Sequence, residues 1–237
     1  DWSSDVCSSD LNHIRCLSET EKKTDPRVAS RLLDNNPVNE DMNQAGELVD
    51  VAFGINIVVN TKSKHSKLFC GDFHDAWIKS CKYVDDCYGV PIEKEADIVI
   101  ASCGGYPKDI NLYQSTKSIF NAARAVKKGG TVIFLAECRE GGGAPDFFSW
   151  IEPLKRGVLD EELRANFTIG GYIFYALCEA IAKSKMLMLS EIDPNFVKDL
   201  NINSYKNIDE LLEKVDFEGK DVCVLPYGGS VVPLLQD

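Results

Sequence analysis

The chain has 237 residues, of which 44% are hydrophobic and 27% charged, enough for one large or two small globular domains. Its formal net charge of -11 argues against nucleic acid or an anionic membrane as partner, because there is no basic field to attract phosphate. No apolar run approaches the roughly twenty residues that span a bilayer, and nine cysteines without a CxxC pair read as reduced, mostly buried thiols of a cytoplasmic protein.

Residues 1–11, DWSSDVCSSDL, lack periodicity and resemble one reading frame of a short-read sequencing adapter, of the kind left fused to truncated metagenomic genes; they are set aside from the fold. Without Asp1, Asp5 and Asp10 the 37 acids become 34 against 26 bases, so the remainder is still acidic at -8. On this reading Asn12 is an interior residue of a longer protein. Residues 12–36 are polar, mostly loop with some helix over 26–33. Asn36 is an N-cap and Pro37 suits the first turn of a helix that runs to about residue 51. Strands are expected over 55–60 and 67–70, then an amphipathic helix over 72–88 closed by Gly89 and Pro91. Residues 90–95 are the best boundary, dividing the end of a truncated N-terminal domain (12–94) from a complete C-terminal one (95–237).

The second domain alternates strand and helix. Residues 97–102 (DIVIAS) form a short β-branched run that reads as a buried strand of a parallel sheet and breaks at Gly104-Gly105. Leu112, Ile119, Ala122, Ala123 and Val126 then recur at helical spacing, with the helix ending in KKGG at 127–130. Residues 131–136 (TVIFLA) are the next strand, running into a glycine-rich loop at 137–143. Short helices are expected over 146–151 and 161–163 and a longer one over 172–182. Strands follow over 185–190 (KMLMLS) and 221–225 (DVCVL), with a helix over 209–215 between them, and the last strand enters PYGGS. The fold class is α/β: a C-terminal domain with a mostly parallel, Rossmann-like sheet, preceded by the tail of a second α/β domain.

In open α/β sheets ligands bind beyond the carboxyl ends of the strands, so residues 103–117 are the candidate site. Three strands end in glycine loops, Gly104-Gly105 the first; each could be a tight turn, but three at equivalent places suggest backbone brought close to a bound ligand. Gln114 and Lys117, three residues apart on the helix, can together hold a carboxylate, the lysine giving charge and the amide direction; a solvated surface lysine is the plainer alternative. No GxGxxG or GxxxxGK[ST] is present, and the three histidines make no triad. His65 and His74 fall on polar surfaces.

SCGGYPKDINLYQSTKS, with FLAECREGGG, the upstream DNNPVNEDM and the final VLPYGGSVVP, resembles the nickel-pincer-dependent lactate racemase family over residues 12–237. The resemblance implies a nickel-pincer nucleotide as cofactor and a small-molecule 2-hydroxy acid as substrate. It implies racemisation or epimerisation by hydride transfer, leaving oligomeric state open. It places Tyr113, Gln114 and Lys117 at the substrate and makes His13, of an Asn12-His13 pair, a nickel ligand. The family's histidine pair and tethering lysine would precede Asn12, so no catalytic residue is assigned here and the fragment alone is expected to be inactive. At residues 167–172 (FTIGGY) a lactate racemase is expected to carry a tryptophan; if that loop walls the substrate pocket, its absence points to a substrate larger than lactate, so the acid is left open as lactate or a larger analogue. Two other readings stand beside this one: a non-catalytic carboxylate- or phosphate-binding α/β domain, and a nicotinamide-dependent 2-hydroxy-acid oxidoreductase. The missing GxGxxG, and the lack of an acid about twenty residues past the first glycine loop, count against the second.

Overall fold

A computed structural model describes residues 13–60 and 64–236. The adapter-like stretch and Asn12 lie outside the described residues. The chain divides into two compact units, Asp1–Gly89 and Val90–Asp237.

In the first unit a 3-10 turn (His13–Cys16) precedes helix α1 (Pro37–Glu47). Asn36 caps α1, its side-chain oxygen accepting from the N–H groups of Val38 and Asn39. The helix expected over 26–33 is absent. Asp25 draws the N–H of Arg27 to its carboxylate at 2.9 Å and grips the guanidinium at 2.6 Å, and Arg31 turns to φ 74°, so the segment forms turns instead. Strands β1 (Gly54–Val59) and β2 (His65–Gly71) form an antiparallel hairpin packed on helix α2 (Phe73–Tyr88). Gly54 is required there, since a Cβ would stand 2.6 Å from the Phe73 backbone.

The second unit opens with β3 (Gly89–Ile92), which pairs with β9 (Val232–Leu235). Its main sheet contains β4 (Ala96–Ser102), β5 (Val126–Leu135), β6 (Lys185–Leu189), β7 (Ile202–Tyr205) and β8 (Val222–Leu225), in the order β7-β6-β5-β4-β8 with every pair parallel. Helix α3 (Leu112–Ala125) joins β4 to β5. Three short helices, α4 (Pro145–Phe148), α5 (Ile151–Lys155) and α6 (Leu159–Ala165), then lead to α7 (Ile169–Ala182). Helices α8 (Pro194–Val197) and α9 (Ile208–Leu212) flank β7.

Burial on both sides of the sheet explains the unbroken apolar runs. Ile98, Ile133 and Leu187 meet Leu211 of α9 on one side, and by strand alternation Val99, Val132 and Met186 turn to the other, where α3 packs. Each of these side chains contributes about 1.5 to 3 kcal/mol by leaving water. The first helix of this unit ends at Ala125, earlier than its spacing suggests, because buried Val126 is extended and pairs with Ala96. The lysines and glycines after it fill an irregularity in β5, where Lys127 meets Asp97 at 3.0 Å. The helix expected over 209–215 stops at Leu212, and β7 and β9 were not anticipated. Among the described residues eight cysteines are free; three are buried, but Cys70 and Cys87 are exposed, so the thiols are less buried than expected. No described helix is long and apolar enough to cross a membrane.

Candidate functional site

The strand order places the switch point of the sheet between β4 and β8, and the loops beyond those two strands meet there. Gly104 and Gly105 both have positive φ, 84° and 83°, which accounts for their being glycine. A Cβ on Gly104 would lie 3.0 Å from the Tyr227 ring, so the loop after β8 runs beside it although Gly104 itself is exposed, while Gly105 has open space where its Cβ would be. The same β8 loop reaches α3 through Asn121, whose amide donates to the Gly228 carbonyl at 2.7 Å.

The third glycine loop closes the start of α3. The N–H groups of Leu112 and Tyr113 donate to the carbonyls of Gly141 and Gly142 at 2.9 and 3.2 Å, and Asn111 accepts from the Gln114 N–H at 2.9 Å. The donors that bind pyrophosphate in dinucleotide folds are therefore occupied by the chain itself. The loops after β4 and β5 thus meet at the start of α3, while the loop after β8 packs farther along it, against Ser118 and Asn121.

Tyr113, Gln114 and Lys117 stand on the first two turns of α3, all half-buried. One helical turn separates Tyr113 from Lys117 and three residues separate Gln114 from Lys117, so the structure brings the three to one flank. The Tyr113 ring is fixed edge-to-face on Phe147 at 5.3 Å, and Phe147 continues onto Phe174 at 5.5 Å. None of the three lines the cleft of about 460 Å³ at the carboxyl ends of β4, β5 and β6, whose walls include Ser102, Gly105, Asp109, Glu137, Glu191 and Lys206.

His13 belongs to the first unit, and its side chain lies outside what the structure describes. Among the described residues no three His, Cys, Asp or Glu side chains are arranged to hold a metal. The described residues therefore do not by themselves make a nickel site.

Gly170 and Gly171, where a bulkier residue was expected, are buried. A Cβ on Gly171 would stand 2.5 Å from Trp150 and one on Gly170 2.8 Å from Asp146. Their smallness is accounted for by the packing of α7, whose N-cap Thr168 also accepts from the Trp150 indole at 3.2 Å.

Two features escaped the sequence reading. Asn111 is an N-cap, signalled by its place three residues before Gln114. Asp109 is 8% exposed, its Oδ2 accepting from the Glu137 N–H at 3.3 Å and its Oδ1 buried without a partner. Nearby, burial pushes the Cys138 thiol up to about 11 and raises that of Cys103, so neither is a thiolate near neutrality.

The family model described as the lactate racemase C-terminal domain matches residues 92–233. A lactate racemase of Thermoanaerobacterium thermosaccharolyticum is 32% identical over 216 residues, covering 87% of this chain and 50% of that protein. One from Lactiplantibacillus plantarum is 27% identical over 216 residues, covering 87% of this chain and 51% of the relative. The chain thus spans about half the length of these curated relatives. The solved lactate racemase apoprotein of T. thermosaccharolyticum superposes with a TM-score of 0.82 at 29% identity, over 97% of this chain and 55% of that one. A Thermotoga maritima protein gives 0.61 at 13% identity over 85% of this chain and 54% of that chain, a likeness of fold alone.

Proposed function

Because the chain belongs to the lactate racemase family through that family's C-terminal domain, we propose that it is the C-terminal part of a cytoplasmic racemase or epimerase acting on a 2-hydroxy acid, lactate or a larger analogue. The observation that carries this reading is the family match over residues 92–233, together with the Tyr113, Gln114 and Lys117 flank lying inside it. Lys117 supplies the positive charge for the substrate carboxylate and Gln114 an amide donor that orients it. Tyr113, held by Phe147, offers a hydroxyl beside them. A nickel-pincer nucleotide, when bound, would supply the acceptor for the substrate's α-hydrogen. Gly104 and Gly105 present side-chain-free backbone toward such a cofactor, and the His13 imidazole is a donor type that nickel accepts. The bases that move the hydroxyl proton are assigned to no residue of this chain, so the chain alone is expected to be inactive.

The nicotinamide alternative is disfavoured by the occupied N–H groups at the start of α3, which leave no pyrophosphate cradle. The test is to incubate the nickel-loaded, full-length parent with pure D- or L-lactate, and with bulkier 2-hydroxy acids, and follow optical purity. Both enantiomers of at least one acid should converge on the same mixture. Unchanged optical purity for every acid, with nickel bound, would refute the reading.

A further inference from the structure

The β1–β2 hairpin of the first unit is patterned inside out. Along β1, Ile55, Ile57 and Val59 alternate with Gly54, Asn56 and Val58, and the register sets Ile55 opposite Cys70, Ile57 opposite Leu68 and Asn56 opposite Phe69. Residues directly opposite each other share a side of the ribbon. One side packs on α2: a Cβ on Gly54 would lie 2.6 Å from the Phe73 backbone, the Phe69 and Tyr83 ring centroids are 5.7 Å apart, and Val58 is buried. The other side is the more apolar of the two, yet Ile55, Ile57, Val59 and Leu68 are 40% to 64% exposed.

An antiparallel sheet with one face in water puts its polar residues on that face. Here the wet face carries two isoleucines, a valine and a leucine, while Asn56 is on the packed one. The exposure continues into the approach to β1, where Val49 and Phe53 also stand open to solvent. Soluble monomers rarely leave so contiguous an apolar patch uncovered. Beside Ile57 and Leu68 the surface has a hollow of about 230 Å³, room for a large side chain from a partner. Among the described residues β1 and β2 pair only with each other, so both keep a free edge as well.

Length points to the partner. The chain covers 50% of the T. thermosaccharolyticum lactate racemase and 51% of the L. plantarum one, so about half of each relative has no counterpart here. On the reading of this chain as the C-terminal part of its parent, on which the present inference rests, that half precedes residue 12. The hairpin lies in the first unit, the one that such a half would continue.

We propose that the outer face of the β1–β2 hairpin is the docking surface for this preceding half of the parent. Apolar side chains of that half cover Ile55, Ile57, Val59 and Leu68, and one of them fills the hollow beside Ile57 and Leu68. The hydrophobic side of the ribbon then faces a core, and the inverted pattern of β1 is accounted for.

Cys70 reports on this face, because it is exposed and stands opposite Ile55. Its labelling by N-ethylmaleimide, read by peptide mass spectrometry, is compared in this chain and in the full-length parent, each beside its urea-unfolded form. Cys70 should label in the chain at close to the unfolded rate, and in the parent about tenfold more slowly or less. Ile57→Ala should lower the parent's melting midpoint by about 4 °C or more beyond its effect in this chain, since only a covered isoleucine leaves a cavity when cut back. Equal labelling of Cys70 in chain and parent, or equal melting shifts, would overturn the proposal. So would a chain that self-associates in sedimentation with Cys70 protected, which would give the face to a second copy. The racemase reading fails separately: a parent that protects Cys70 but racemises no 2-hydroxy acid refutes that reading and supports this one, whereas a racemising parent with Cys70 open refutes this one alone.

Discussion

The Tyr113 N–H donates to the Gly142 carbonyl at 3.2 Å, and with the neighbouring Leu112 to Gly141 bond it ties the helix of the proposed carboxylate set to the loop after β5. Tyr113 is held at both ends, by this bond and by its ring contact with Phe147. Movement of the 137–143 loop would therefore displace the flank that carries Gln114 and Lys117.

Gly143→Ala tests how tightly that junction is packed. Gly143 has φ 95°, and a Cβ there would lie 2.9 Å from Asn111 and Tyr113. Gly157 has φ 72° and nothing within 4 Å. Alanine at Gly157 should cost about 1 to 2 kcal/mol from left-handed backbone strain alone, and alanine at Gly143 clearly more, as read from urea unfolding. Equal losses would show that the junction yields.

Asn111→Ala should destabilise by about 1 kcal/mol, the usual value of an N-cap, whereas Asn111→Asp should keep most of it because the acceptor remains. Thermal melts of the two variants decide this.

How far the sequence could be read depended on whether the information was local. The strands over 97–102 and 131–136 were legible because both faces of the sheet are covered, so their apolar runs are continuous. Asn36 and Pro37 announced α1 through capping chemistry that acts within four residues. By contrast, β7 is a four-residue edge strand that follows a left-handed Asn201, and β9 contains a proline, so neither carries a strand pattern. The pairing of Gln114 with Lys117 followed from helical spacing, and Tyr113 joined them only through the resemblance to the family. The cleft did not, since Asp109, Glu137, Glu191 and Lys206 come from four separate loops, after β4, β5, β6 and β7, and only the parallel sheet brings them together. The glycines at 170 and 171 look like room for a substrate in one dimension, but in three they make room for Trp150 and Asp146.

Stability should fall on the alkaline side. Burial raises Cys138 to about 11 and Cys16 and Cys178 to about 12, from an ordinary thiol value of 9.0. Above pH 9 the unfolded chain releases these protons while the native one retains them, so the unfolded state binds fewer protons and stability declines as pH rises. The slope is at most about 1.4 kcal/mol per pH unit for each thiol, up to its folded value. Urea unfolding from pH 8 to 11 should show this decline, and Cys138→Ser should make it shallower; a slope unchanged in that variant would contradict the assignment.

In the full-length, cofactor-loaded parent, His13→Ala should lower nickel content, since a single imidazole helps hold a metal also fixed by the cofactor's own donors. The melt of the Val90–Asp237 unit should be unaffected. Metal analysis by mass spectrometry beside circular dichroism separates these outcomes, and unchanged nickel would remove His13 from the metal site.

The most direct test of the central claim compares two nearby lysines in the active parent enzyme. Lys117 is assigned to the substrate carboxylate, whereas Lys108 donates to the Ser230 hydroxyl at 2.8 Å on the surface. A lost hydrogen bond to a charged group is worth about 1.5 to 3 kcal/mol, so Lys117→Ala should lower kcat/KM for racemisation roughly ten- to a hundredfold. Lys108→Ala should change it by no more than about twofold, and equal losses from the two substitutions would contradict the account.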